Sequence, residues 1–163
     1  MSEPEPIGTA TTASPAARSH SRASDLVRAF YEPFRTGDTS IYRDILAADW
    51  ADLPLAPGQE QGPAGIGAQV GLFRQAFPDY DVTHEDLIVG DDRVAVRNTV
   101  TGTHQGAFMG YAATGRRIAI RTMDLHRIRD DRIAITWHLE DFAGLIAQLS
   151  GPDEAAGQPG PWT

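Results

Sequence analysis

Residues 116–139 read RRIAIRTMDLHRIRDDRIAITWHL, and the reading of this stretch decides the fold. On both sides of Asp130-Asp131 the apolar residues return at every second position, the pattern of two strands joined by a tight turn. In the first strand Ile118, Ile120, Asp124 and Ile128 share one face, with Arg117, Arg121, Arg127 and Arg129 on the other. In the second, Ile133, Ile135 and Trp137 form one face, and His138 falls opposite them with Ala134 and Thr136. Working back toward the N-terminus, the same period predicts strands over 80–89 and 93–104. They are punctuated by Gly90-Asp91-Asp92 and by the glycine-bearing stretch 106–115.

Outside these strands the period becomes helical. From Ser24, a candidate N-cap, Leu26, Phe30 and Phe34 recur four apart beside Val27 and Tyr31, and Gly37-Asp38 ends the run. Pro33 is expected to kink or shorten the last turn. A short helix follows from Thr39 or Ser40, placing Ile41, Tyr42, Ile45 and Leu46 inward, and 49–57, with Trp50, reads as a short strand or loop. Pro63 opens a third helix carrying Ile66, Val70, Phe73 and Phe77, stopped by Pro78. Asp141 opens a last helix bearing Phe142, Leu145, Ile146 and Leu149. Helices first and an antiparallel meander afterwards predict an α+β fold, with helices on one face of a curved sheet and a ligand pocket between them.

The chain has 163 residues, enough for one domain, over 22–150. Residues 1–21, rich in Pro, Ala, Ser and Thr, are expected to be a disordered tail and 151–163 a flexible one. Neither a signal peptide nor an apolar stretch of about 18 residues is present, which predicts a cytoplasmic protein without membrane contact. Fourteen basic residues, all Arg, against 22 acids give a net charge of -8, a poor match to a phosphate backbone, so no nucleic-acid partner is expected. The absence of Cys removes disulfides, thiolate metal sites and cysteine nucleophiles, and the absence of Lys removes Schiff-base chemistry. Five His without H-x-H or H-E-x-x-H spacing predict no metal site.

Among candidate chemical residues, Asp124 points where aliphatic residues point, so its pKa is open to a rise toward neutrality, as acid/base work requires. The same position suits a buried Asp that ties down backbone or pairs with an Arg. His138 lies about as far beyond the turn as Asp124 lies before it, which makes the two cross-strand neighbours. Whether His138 faces the pocket or solvent depends on which side of the last strand is interior. His126 shares the Asp124 face but lies near the strand end. His104 ends the strand 93–104 on its valine face and is either a pocket residue or a packing histidine. Asp141 is a candidate for the site and equally a helix cap. His84, on a strand rich in charge, reads as solvated. Stretch 102–111, with Phe108 and Tyr111, is either a lid over a ligand or a loop plugged into its own core.

Taken in order, several runs resemble the SnoaL-like polyketide cyclases, a branch of the NTF2-like superfamily, over about residues 22–150. They are Phe77-Pro78-Asp79, Gly90-Asp91, Val94 to Arg97, Gly102-Thr103-His104 with Gly106, Ala113-Thr114-Gly115-Arg116, and Asp124-Leu125 with Arg127. Ile133, Trp137, Asp141, Leu145 and Gln148-Leu149 complete the pattern. The resemblance implies an α+β cone, usually a dimer or tetramer, working without metal or organic cofactor. It implies intramolecular aldol closure of an aromatic polyketide or similar apolar molecule, with epoxide opening to a cyclic ether or diol, or simple binding of a small molecule, as alternatives. Alignment with the aldol cyclases puts their acid/base carboxylate at His138 and a pocket histidine at Asp124, so this chain exchanges the two types. The ether-forming relatives match at His104. On this reading Asp124 and His138 form the acid/base pair, His104 and Asp141 support it, and Trp50, Phe108 and Tyr111 pack against a flat substrate. The apolar face of Ile133, Ile135 and Trp137 predicts a closed oligomer, most simply a dimer.

Overall fold

The computed structural model describes residues 14–151. Helix α1 spans Pro15–Thr36, α2 Tyr42–Ile45, α3 Pro63–Ala76 and α4 Phe142–Ser150. Strand β1 spans Leu46–Leu53, β2 Asp81–Val89, β3 Arg93–Thr103, β4 Arg117–Arg129 and β5 Arg132–Glu140. The five strands form one sheet in the order β1-β5-β4-β3-β2, antiparallel throughout except for the parallel β1–β5 pair. This is the α+β, NTF2-like arrangement, with four helices packed on an open curved sheet. Among the described residues no helix is long and apolar enough to cross a membrane.

The first helix departs from expectation at both ends. It starts nine residues earlier than Ser24, because the Ser14 hydroxyl accepts the Ala17 N–H and Pro15 occupies the first turn, where a missing donor costs nothing. Residues 15–21 are therefore helical rather than tail, whereas residues 1–13 and 152–163 of the expected tails lie outside the described residues. Pro33 does not end the helix either. The helix runs on to Gly37, whose φ of 84° breaks it and whose N–H bonds the Pro33 carbonyl at 2.7 Å. One stripe of α1 (Leu26, Val27, Phe30, Tyr31 and Phe34) is buried against the sheet.

On β4 the interior face carries Ile118, Ile120, Thr122, Asp124 and His126, all buried. Against it β5 shifts register once: Arg127 pairs with Ile135 and Ile128 with Ile133, leaving Ala134 as an extra residue in a bulge. The bulge takes Ile133 and Ala134 both into the interior, so the expected Ile133, Ile135 and Trp137 face is split. Beyond the bulge Thr136, His138 and Glu140 stand opposite His126, Asp124 and Thr122, facing the helices. Ile135, Trp137 and Leu139 stand on the outer face. There, Ile88, Ala95, Leu125, Trp137 and Leu53 are successive partners across all five strands, an apolar row that none of the described helices covers.

Candidate active site

Asp124 lies in the middle of β4 and is buried, paired on the ladder with Val96 on one side and His138 on the other. Three donors converge on its Oδ2: the Tyr31 hydroxyl at 2.6 Å, the Asn98 amide at 3.1 Å and the Thr122 hydroxyl at 3.2 Å. All three of these bonds fall on Oδ2 and none on Oδ1. Burial raises the Asp124 pKa to about 6; the Tyr31 bond and the charge of His138 oppose the rise, and the charge of Glu140 adds to it.

His138 faces this interior, as the small and polar side of β5 requires, and is held between two acidic side chains. Its Nδ1 is 2.7 Å from Glu140 Oε1, and Nε2 is 3.3 Å from Asp52 Oδ1, a close ionic contact. Burial alone would lower its pKa, but the bonds and charges of Asp52 and Glu140 outweigh it and raise the value to about 10. At neutral pH His138 is an imidazolium. One side-chain nitrogen or oxygen from each of Asp124, His138 and Glu140 lies within 4.8 Å of the others; Asp124 and His138 are the cross-strand neighbours expected from the turn, and Glu140 joins them. The 2.7 Å contact between His138 and Glu140 makes the trio an ion-pair network as held here.

Asp52 reaches the cluster from the parallel edge strand and accepts the Gln59 amide at 2.6 Å from the loop that follows β1. Tyr80 lies close enough to Asp124 and Glu140 that their charges, after burial, hold its phenol neutral. Its ring stacks on Phe34 at 5.5 Å and meets Phe73 edge-on at 5.9 Å, and Phe73 meets Phe108 at 5.2 Å. The carboxylates thus adjoin an aromatic wall. The site opens where His138 and Glu140 retain 17% and 24% of their side-chain exposure. Surface hollows of about 410 and 710 Å³ lie elsewhere, along α1 and between α2 and the start of α3, and neither reaches Asp124, His138 or Glu140.

Several expected site residues lie away from this cluster. His104 is six residues beyond Asn98, about 20 Å along an extended chain. There its Nδ1 accepts from the Thr114 N–H at 3.3 Å, and its ring packs on Phe77 at 5.4 Å, so it pins the loop between β3 and β4. Asp141 points outward and caps α4, accepting the Gly144 N–H at 2.8 Å; the interior carboxylate is its neighbour Glu140. Trp50 is 1% exposed, packs on Phe30 and donates its indole N–H to Thr136, which makes it core rather than substrate wall.

Phe108 and Tyr111 exchange backbone bonds of 2.9 Å about a Met109-Gly110 turn, forming a small hairpin. Phe108 packs inward on Phe73 and Phe77, so the loop joins the protein's own core on one side and the aromatic wall on the other. The hairpin is anchored where Gly106 passes over the end of α3, since a Cβ there would lie 2.2 Å from the Gln75 carbonyl oxygen. His126 and His84 are also placed differently from expectation. His126 is fully buried, and His84 is half-buried, edge-on to Tyr31 at 5.0 Å and 2.7 Å from the Asn98 amide oxygen.

Comparison with known proteins agrees with this architecture. Residues 24–149 match the family model described as SnoaL-like polyketide cyclase. The aklanonic acid methyl ester cyclase DnrD of Streptomyces peucetius is 28% identical over 137 residues, covering 78% of this chain and 90% of that protein. Among solved structures, TsrD from Streptomyces laurentii superposes with a TM-score of 0.74 at 27% identity, covering 80% of this chain and 96% of that one. Wild-type IdmH from Streptomyces antibioticus gives 0.71 at 30% identity, covering 79% and 99%. With the match spanning most of its length, the chain belongs to the SnoaL-like polyketide cyclase family.

Proposed function

We propose that this protein closes a ring in an aromatic polyketide by cofactor-independent, intramolecular aldol addition, with Asp124 as the base. The observation that carries the reading is a buried carboxylate with one oxygen saturated by donors and the other open, beside an imidazolium and an aromatic wall. With a pKa of about 6, Asp124 is ionised at neutral pH yet basic enough to take a proton from an acidic carbon. The carbanion attacks a carbonyl of the same molecule and the new carbon–carbon bond turns that oxygen into an alkoxide. His138, a positive charge held between Asp52 and Glu140, supports this alkoxide through its field. Asp124 then returns its proton to the alkoxide, so atoms and charge balance without a co-reactant. Tyr80, Phe73 and Phe34 supply flat apolar surface that holds the two reacting carbons close.

Aklanonic acid methyl ester, named for a relative, is the first substrate to try. Asp124→Asn should lower turnover by about 100-fold or more, while melting at or above the parent temperature at pH 7.5, because it removes a charge that burial disfavours. Turnover within about threefold of the parent, far below a general-base contribution, would remove Asp124 from the mechanism.

A further inference from the structure

We infer that His126 is a positioning residue for Asp124: its Nε2–H tautomer, set from Trp50 through Thr136, keeps the Tyr31 hydroxyl on Oδ2, so that Oδ1 alone takes up and returns protons. This deepens the function proposed above and rests on Asp124 as the base.

The argument is one of donors and acceptors along a buried chain. Trp50 Nε1, which can only donate, is 3.1 Å from Thr136 Oγ1, and that oxygen is 3.0 Å from His126 Nδ1. His126 Nε2 is 3.1 Å from the Tyr31 hydroxyl, which is 2.6 Å from Asp124 Oδ2. An ionised carboxylate only accepts, so Tyr31 donates to it and offers a lone pair to Nε2–H. Burial keeps His126 neutral, with its pKa lowered to about 3, so it carries a single N–H and Nδ1 must accept. The Thr136 hydroxyl therefore donates to Nδ1 and receives the indole N–H. Every hydrogen along the chain points toward Asp124.

The opposite direction is disfavoured at both ends. A proton on Oδ2 would face the Asn98 N–H, which cannot accept it, and would turn the Tyr31 hydrogen onto Nε2. His126 would then need Nδ1–H, and Thr136 would receive two donors with its own hydrogen unplaced in the chain. All five members are at most 8% exposed, so bulk water cannot readily fill in. Beyond the chain, the charges acting on Asp124 are those of His138 and Glu140 from β5; Tyr80, ahead of β2, feels the charge of Asp124 in turn, His84 from β2 reaches Tyr31 and Asn98, Asp52 from β1 reaches His138, and Tyr42 from α2 couples to Tyr80 and Asp52. The titratable group that bonds Oδ2 is Tyr31, beside the Asn98 amide and the Thr122 hydroxyl.

Nuclear magnetic resonance on full-length protein labelled with ¹⁵N at His and ¹³C at the Asp carboxyl reads both quantities without a substrate. His126 should be the Nε2–H tautomer on both sides of the Asp124 titration. Thr136→Val should give His126 a mixture of tautomers and move the Asp124 titration up by about one pH unit, the scale of a charge-assisted hydrogen bond. Thr136→Ser should restore both. Should Thr136→Val not fold, Tyr31→Phe carries the test through an upward shift of at least the same size. An Nδ1–H tautomer in the parent, a tautomer that switches as Asp124 titrates, or a variant titration unchanged from the parent overturns the inference. A lower melting temperature with the titration unmoved would mean that the chain is only packing. Because none of these measurements uses turnover, a failure of the cyclase assay leaves them interpretable on their own.

Discussion

At Asp124 and His138 two burial effects of opposite sign meet. Burial raises a carboxyl and lowers an imidazole, yet both groups here have raised pKa values, because His138 has two acidic partners and Asp124 has one opposed by Glu140. His138, raised from 6.5 to about 10, adds stability that is complete below about pH 6.5 and is lost as pH rises through 10. Thermal melting should therefore fall between pH 7 and 10 in the parent, and His138→Gln should flatten that slope; a parallel curve for the variant would contradict the ion-pair reading. Asp124 was legible in the sequence because a carboxylate in an aliphatic register is conspicuous. Tyr31 and Asp52 were not, since a residue 93 positions from Asp124 and one on an edge strand carry no local sign of meeting it. Glu140 hid behind Asp141, whose capping position drew attention to the wrong member of the pair.

The strands between 80 and 140 were legible as elements, each with one bound moved by a single residue, because a period of two survives over 9 to 13 residues. The bulge at Ala134 was not, because Ile133-Ala134-Ile135 reads as unbroken alternation while the backbone places two successive residues inward. The parallel pairing of β1 was hidden for another reason: parallel partners are not joined by a short turn and leave no signature between them. α4 offers a test of roles. Asp141→Ala removes a cap and should cost about 1 kcal/mol of stability while leaving turnover within about twofold, well short of losing an acid/base group. A loss of turnover approaching that of Asp124→Asn, with melting unchanged, would return Asp141 to the chemistry.

For the whole molecule, the helices cover one face of the sheet and leave the other with the row Ile88, Ala95, Leu125, Trp137 and Leu53. Met123 and Leu139, neighbours on the same face, are 60% and 73% exposed. An apolar band of that extent on a twisted sheet suits a second copy of itself. Light scattering at micromolar concentration is expected to give about twice the 17.6 kDa chain mass. The double change Met123→Glu with Leu139→Glu should return it to one, and a parent already at one chain mass would refute the dimer. The expectation of an apolar outer face came from the sequence, but its membership changed, since Ile133 went to the core and Leu139 and Met123 replaced it.

Past the bulge, β5 is read by two audiences. Thr136, His138 and Glu140 face the Asp124 cluster, and the interleaved Ile135, Trp137 and Leu139 face the other way. Substitution at the odd-numbered positions can therefore reshape the outer face without touching the residues beside Asp124 at the even-numbered ones. The loss or gain of a single residue at Ala134 would transpose the two texts, so this is the point on the strand where a frame of length, rather than identity, has to be kept.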